Sequence, residues 1–92
     1  MIIELKGEIV KIAPVKQLAD NLSICDFVIK IGNNGFSQDI ITTLKNEKID
    51  LMKKFSVGMV VIAKCYLNGR ERDGKHYIQL VCFDLIGKYN ND

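Results

Sequence analysis

Lys45-Asn46-Glu47-Lys48-Ile49-Asp50-Leu51-Met52-Lys53-Lys54-Phe55 decides the fold, because it interrupts a chain whose other apolar runs alternate with period two. The apolar positions in it follow no β-alternation. On a helical projection Leu44, Leu51 and Phe55 share one face with Met52 at its edge, and Lys53 and Lys54 fall in the last turn, where cations suit the helix dipole. One short amphipathic α-helix is predicted. Its two terminal lysines are expected to be solvated and not part of a binding patch.

Strands are predicted on both sides of it. Val57-Gly58 restarts the chain as strand, and over 59 to 67 Val61, Ala63, Cys65 and Leu67 face one way while Val60, Ile62, Lys64 and Tyr66 face the other. Asn68-Gly69-Arg70-Glu71-Arg72-Asp73-Gly74-Lys75 reads as a charged hairpin with an Asp-Gly turn, leading into a last strand over about His76 to Leu85. Upstream of the helix, Ile24 to Ile31 forms a strand with Phe27, Ile29 and Ile31 on one face and Asp26 and Lys30 on the other. Asn33-Asn34-Gly35 follows, a strong hairpin signal because Asn and Gly tolerate positive φ, so about Phe36 to Thr43 is its antiparallel partner. The first strand, Ile3 to Ile12, changes phase near Gly7 or Glu8 and is expected to bend there and serve two sheets. Ala13 to Leu22, with Pro14 and the turn formers Asp20 and Asn21, reads as a long loop.

The order is strand, strand, strand, helix, strand, strand. It predicts an all-β protein, a five-stranded OB-fold barrel with one short α-helix between strands 3 and 4 plugging an end of the core. An SH3-like barrel leaves that helix unexplained, and an α+β roll is the remaining alternative. With 92 residues there is material for one core. Residues 1–87 are expected to form a single domain and 88–92 a short polar tail.

Composition narrows the function classes. An apolar content of 48% with 26% charged residues argues against disorder. The longest apolar stretch, Val57 to Ala63, falls far short of the roughly 20 residues of a membrane-spanning helix. Met1-Ile2-Ile3-Glu4-Leu5-Lys6 has none of the features of a secretory signal. Cys25, Cys65 and Cys82 are odd in number, sit in apolar runs and form no C-x-x-C pair, so they are expected to be reduced core residues of a cytoplasmic protein. His76 is the only histidine, which leaves neither a nucleophile with its base nor a metal-ligand set, and no phosphate-cradling glycine motif occurs. The chain is therefore expected to be no enzyme and to carry no cofactor or metal.

Five blocks carry a resemblance: Glu4-Leu5-Lys6-Gly7-Glu8-Ile9-Val10, Cys25-Asp26-Phe27-Val28-Ile29, Lys48-Ile49-Asp50-Leu51, Val57-Gly58 and Arg70-Glu71-Arg72-Asp73-Gly74-Lys75-His76-Tyr77. In this order and spacing the chain resembles a family of short OB-fold proteins of bacteria and their phages, catalogued as a domain of unknown function and compared with single-stranded DNA-binding proteins. The resemblance covers about residues 3 to 86. It implies the OB fold and a single-stranded nucleic acid as ligand. Two positions depart from it: near the start and end of the last strand, where the family tends to have tryptophan, this chain has His76 and Phe83.

Binding a single strand requires cations that track phosphates and flat side chains on which bases stack. An OB barrel places these on the face of strands two and three and on the loops between strands one and two and strands four and five. The candidates are accordingly Lys16, Lys30, Arg70, Arg72 and Lys75 as cations, and Phe36, Tyr66 and Tyr77 as stacking side chains. Each has a plainer alternative. Tyr66 and Tyr77 could pack against a second subunit, Phe36 could fold over the barrel end, and Arg70 and Arg72 could pair with Glu71 and Asp73. DNA is the expected ligand, and the residues do not separate it from RNA. A net charge of +2 limits the expectation to a weak, salt-sensitive binder.

Strands four and five are apolar on both faces. Val60 and Ile62 lie opposite Val61 and Ala63, and Val81 and Phe83 lie opposite Leu80 and Cys82. A small core takes only one face, so the outward set predicts a homodimer or homotetramer, unless the helix or tail covers it. A protein-interaction module using the same barrel face, without nucleic acid, is the competing function.

Overall fold

The structure is a computed structural model and describes residues 1–33 and 35–87, with the side chain of Asn33 also outside the description. The elements run β1 (Ile2–Ile12), β2 (Lys16–Ala19), β3 (Leu22–Asn33), β4 (Phe36–Lys45), a 3₁₀ helix (Asn46–Lys54), β5 (Val60–Arg72) and β6 (Lys75–Gly87). The five predicted strands are β1, β3, β4, β5 and β6. Asn34 in the predicted hairpin turn and the predicted tail 88–92 lie outside the described residues.

β1, β5, β6, β4 and β3 pair in that order, and β1 pairs with β3 again to close the barrel. All pairings between neighbours are antiparallel except β4 with β6, a parallel seam that rests on the pair Thr43 and Val81. β2 is an addition to the expected plan. Within the predicted loop, Lys16 and Gln17 pair with Ile24 and Ser23, and the chain turns at Asp20 and Asn21.

β1 does serve two sheets. It pairs with β5 from Ile2 to Glu8 and with β3 from Glu8 to Ile12. The irregularity is a bulge at Val10, since Ile9 faces Ile29 while Lys11 already faces Val28. The phase change therefore falls slightly later than predicted. Gly7 is needed for a different reason. A Cβ there would collide with the Lys30 carbonyl, so only glycine lets β1 cross β3 this closely.

Alternation fills the interior as expected. Ile9, Phe27, Ile29, Leu44, Val61, Ala63 and Cys65 have no exposed surface, and Cys82 and Leu85 complete the core between the strands. Burying one large apolar side chain of this kind stabilises the fold by roughly 1.5–3 kcal/mol. The same register puts Val60, Ile62, Lys64 and Tyr66 on the outside.

The helix occupies its predicted place but winds as 3₁₀ and not as α. At three residues per turn, Ile49, Met52 and Phe55 line up in one row. That moves Met52 from the edge of the apolar face to its centre, where it is the buried residue of the segment. The Phe55 N–H donates to the Met52 carbonyl at 3.0 Å, closing the last tight turn. At the other end, Asn46 adopts φ 52° and its Oδ1 accepts from the Ser23 N–H at 2.9 Å, tying the helix entry to β3. Among the described residues no helix is long and apolar enough to cross a membrane.

Candidate nucleic-acid interface

β5 and β6 are longer than the barrel requires. β1 accompanies β5 only as far as Tyr66, and β4 touches β6 at Val81, so the hairpin from Asn68 to Gln79 extends as a two-stranded arm with every residue exposed. Its turn is Asp73-Gly74, with φ of 52° and 79°, the doubly left-handed geometry for which Asp-Gly is suited. The Gly74 N–H donates to Glu71 Oε2 at 3.0 Å, which draws that carboxylate into the turn.

Register then sorts the arm's side chains. Tyr66 faces Val81, Asn68 faces Gln79, Arg70 faces Tyr77 and Arg72 faces Lys75, all on one face, while Glu71 and His76 face each other on the opposite one. Five of the eight predicted site residues, Tyr66, Arg70, Arg72, Lys75 and Tyr77, are thus brought together on this face. The ion pairs found among the described residues are Lys30 with Asp39 and Lys53 with Asp50. Arg70 and Arg72 do not pair with Glu71 or Asp73, so the arm's cations are not neutralised from within.

Lys16, Lys30 and Phe36 lie elsewhere. Lys16 sits beside Ile24 on β2 and Phe36 beside Asn33 at the far end of the β3–β4 hairpin. Nine residues of strand, roughly 30 Å, separate the two positions. Phe36 is 86% exposed and does not fold over the barrel end. Lys30 lies between them and is held by Asp39, Nζ to Oδ1 2.8 Å. On the same outer face Thr43 Oγ1 donates to Asp26 Oδ1 at 2.7 Å. The outer face of β3 and β4 therefore carries Asp26 and Asp39 against Lys30, which is paired, and Lys45, whereas Arg70, Arg72 and Lys75 gather on the arm without an ion partner among the described residues.

Tyr66 has a second engagement. Its ring packs against Phe83, centroids 4.5 Å apart and planes inclined by 33°, and it remains half-exposed. Asn68 and Gln79, which are not among the candidates drawn from the sequence, lie between this pair and Tyr77. The alternation that set Tyr66 and Tyr77 outward sets them outward too.

Of the residues predicted to form a subunit contact, Val60 is exposed, while Ile62, Val81 and Phe83 are half-buried. Val60 borders an open apolar cavity of about 510 Å³ that also involves Phe55, Met59, Leu85 and Ile86. The helix end forms one wall of it and leaves Val60 and Ile86 uncovered.

The thiols are internal. Cys65 and Cys82 face each other across β5 and β6 in the core, and all three cysteines are free. The hydrogen bond shared with Cys65, and then burial, push the Cys82 thiol far above its ordinary range, and it donates to the Asp84 carbonyl at 3.2 Å. Burial, and then the Asp26 carboxylate, raise Cys25. Among the described residues no three His, Cys, Asp or Glu side chains gather to hold a metal ion.

A closed five-stranded barrel with a helix between its third and fourth strands is the OB fold, and here it bears a cationic, aromatic arm. The chain belongs to the family described as Domain of unknown function (DUF3127), which matches residues 4–86. Among solved structures it is similar to PriB from Ralstonia solanacearum, at 11% identity and TM-score 0.74 over 96% of this chain and 97% of that one. It is likewise similar to the N-terminal domain of PriB from Thermoanaerobacter tencongensis, described as dimeric, at 12% identity and TM-score 0.72 over 97% of both chains. The mitochondrial single-stranded DNA-binding protein Rim1 of S. cerevisiae shares 19% identity with a TM-score of 0.70, over 99% of this chain and 97% of that one. No curated protein sequence matches the chain. At these identities the likeness is one of fold.

Proposed function

We propose that this chain binds single-stranded nucleic acid, DNA before RNA, as a non-catalytic homo-oligomer with little sequence preference, serving DNA replication, recombination or phage DNA metabolism in the cytoplasm. The observation that carries the reading is the arm: Arg70, Arg72 and Lys75 without internal partners, on the face that also presents Tyr77. Phosphates would run along the cations and a base would stack on the tyrosine, an interaction worth about 1–3 kcal/mol per base. Rim1, a single-stranded DNA-binding protein by its description, supports DNA as the ligand through the shared fold. Lys16, Lys30 and Phe36 are secondary contacts on this reading, reached only by a strand that continues past the arm.

Self-association is supported by the uncovered apolar surface at Val60 and Ile86, continuous with Ile62, and by the dimeric description of one PriB domain. A homodimer or homotetramer would present one arm per copy, and linked arms bind one strand more tightly than a single arm does. Sedimentation at a mass near 10.4 kDa at high concentration would contradict this part.

The test is fluorescence anisotropy with labelled oligo-dT at two salt concentrations. Affinity is expected to fall steeply with salt, and Arg70→Ala with Arg72→Ala to flatten the log–log slope by about 0.7 for each phosphate that is no longer neutralised. Absence of binding at low salt and micromolar protein refutes the reading.

A further inference from the structure

Gly69 and Glu71 mark an open sheet edge on the arm. The Asp73-Gly74 turn is doubly left-handed, so the flanking Arg72 and Lys75 form a hydrogen-bonded pair. Pairs then alternate down the ladder. Arg70 with Tyr77 and Asn68 with Gln79 exchange bonds between the strands, whereas Glu71 and Gly69 turn their N–H and C=O groups outward. The root of the arm has the same phase, because Leu67, the next residue of the outward set, donates its N–H to the Met1 carbonyl at 3.0 Å. From Gly69 onward this edge has no partner among the described residues.

The side chains around the edge are sorted by face. Arg70 and Arg72 stand on one face without ion partners among the described residues, and the Glu71 carboxylate is drawn into the turn by the Gly74 N–H. On the other face Gly69 has no side chain and its cross-strand neighbour Ile78 is 78% exposed, which leaves a notch over the glycine with an apolar wall. We propose that this edge takes an acidic, extended peptide of a partner protein as an added antiparallel strand, in line with β1. Its carboxylates lie opposite Arg70 and Arg72, and an apolar side chain opposite Gly69 covers Ile78. Backbone donors and acceptors repeating at strand spacing match a chain with the same repeat, whereas a DNA backbone offers acceptors only. Such docking does not require that the chain bind nucleic acid.

The test titrates the full chain with the labelled peptide Glu-Thr-Glu-Val-Ser, and with Lys-Thr-Lys-Val-Ser as its charge-reversed counterpart, by fluorescence anisotropy. The acidic peptide is expected to bind about tenfold tighter or more at low salt. Gly69→Pro removes an outward N–H, breaks no bond between β5 and β6, and keeps both arginines. A Cβ at this position meets only the Tyr77 carbonyl oxygen, at 3.9 Å. The variant should lose peptide binding with an unchanged circular dichroism spectrum. In the wild type, amide exchange followed by NMR should slow at Gly69 and Glu71 when the peptide is added, and not at Arg70 and Arg72, which are already bonded inward. Equal binding of the two peptides overturns the proposal, as does acidic-peptide binding without protection of Gly69 and Glu71, which would be a charge contact alone. Protection of these amides by oligo-dT and not by the peptide would assign the edge to nucleic acid, and protection by raised protein concentration alone would assign it to a second copy; either result overturns the proposal. Oligo-dT binding by Gly69→Pro bears on the proposed function separately.

Discussion

Tyr66 on β5 and Phe83 on β6 pack ring against ring at the root of the arm, their centroids 4.5 Å apart. Phe83 reaches this position because β6 carries an extra residue there: Cys65 faces Cys82 while the neighbouring Lys64 faces Asp84. The pair braces the arm where it leaves the barrel, a structural role in addition to any contact with a ligand. Aromatic pairs of this kind contribute about 0.5–1.5 kcal/mol beyond buried area. A double-mutant cycle with Tyr66→Ala and Phe83→Ala, read by urea unfolding, is expected to show a coupling in that range. Tyr77→Ala, at the exposed arm, should leave stability within about 0.5 kcal/mol of wild type and weaken oligo-dT binding.

Thr42 is fully buried on the inner face of β4, and its Oγ1 finds no hydrogen-bond partner among the described residues. A hydroxyl stripped of water without compensation costs about 1–3 kcal/mol. Thr42→Val exchanges it for a methyl group of similar shape and is expected to stabilise the protein by about 1 kcal/mol, raising Tm by roughly 5 °C. Differential scanning calorimetry measures both, and a fall in Tm would show that the hydroxyl has a partner.

Gly7 makes the opposite prediction. Because a side chain there meets the backbone carbonyl of Lys30 and not the end of a flexible side chain, relief requires β1 and β3 to separate. Gly7→Ala is expected to destabilise by about 2 kcal/mol or more. Gly69→Ala, where the nearest atom would be the Tyr77 carbonyl oxygen at 3.9 Å, serves as the control and should be far milder.

The buried thiols give a pH dependence. Cys82 has its folded pKa raised above the ordinary value of 9.0, by the hydrogen bond shared with Cys65 and then by burial. Below pH 9 the thiol is protonated in both folded and unfolded chains, and its contribution is fully present. Above it the unfolded chain releases a proton that the folded one keeps, so stability falls as pH rises. The same hydrogen bond shifts Cys65 the opposite way, so the two thiols titrate as a pair; urea unfolding at pH 9 and pH 10 should show the loss, and Cys65→Ala with Cys82→Ala should reduce it. An unchanged loss would mean that Cys82 ionises as readily folded as unfolded.

The strands were legible wherever alternation ran uninterrupted, as in Val61-Ile62-Ala63-Lys64-Cys65-Tyr66 and around Phe27. The two hairpins were legible from Asn-Gly and Asp-Gly. The bulges at Val10 and Phe83 were harder, since a bulge shifts the phase without a residue type of its own, and at β1 Gly7 drew attention to the wrong spot. The helix type depends on whether the apolar row runs Leu44, Leu51, Phe55 or Ile49, Met52, Phe55, and the sequence contains both rows. Packing against the barrel selects the second. For the site, side-chain alternation set Tyr66 and Tyr77 outward, and the register of the arm adds Arg70, Arg72 and Lys75 to their face while leaving Lys16, Lys30 and Phe36 elsewhere. It could not show that Lys30 is claimed by Asp39, because that pair forms across strands nine residues apart.

Beyond Leu67, whose N–H donates to the Met1 carbonyl at 3.0 Å, the arm has no other strand beside it among the described residues: from Asn68 to Arg72 and from Lys75 to Gln79, each strand is paired only with the other. Both outer rims consequently offer rows of unsatisfied N–H and C=O groups to any other extended chain, and bare rims of this kind promote aggregation. Charge is the usual defence, and Arg70, Arg72 and Lys75 provide it here. On the proposed reading, the residues that draw in a polyanion are the same ones whose charge opposes pairing between the arms of neighbouring molecules. Stripping them to probe ligand binding therefore removes the molecule's protection against sticking to itself, and variants of the arm are best compared at low protein concentration with light scattering alongside.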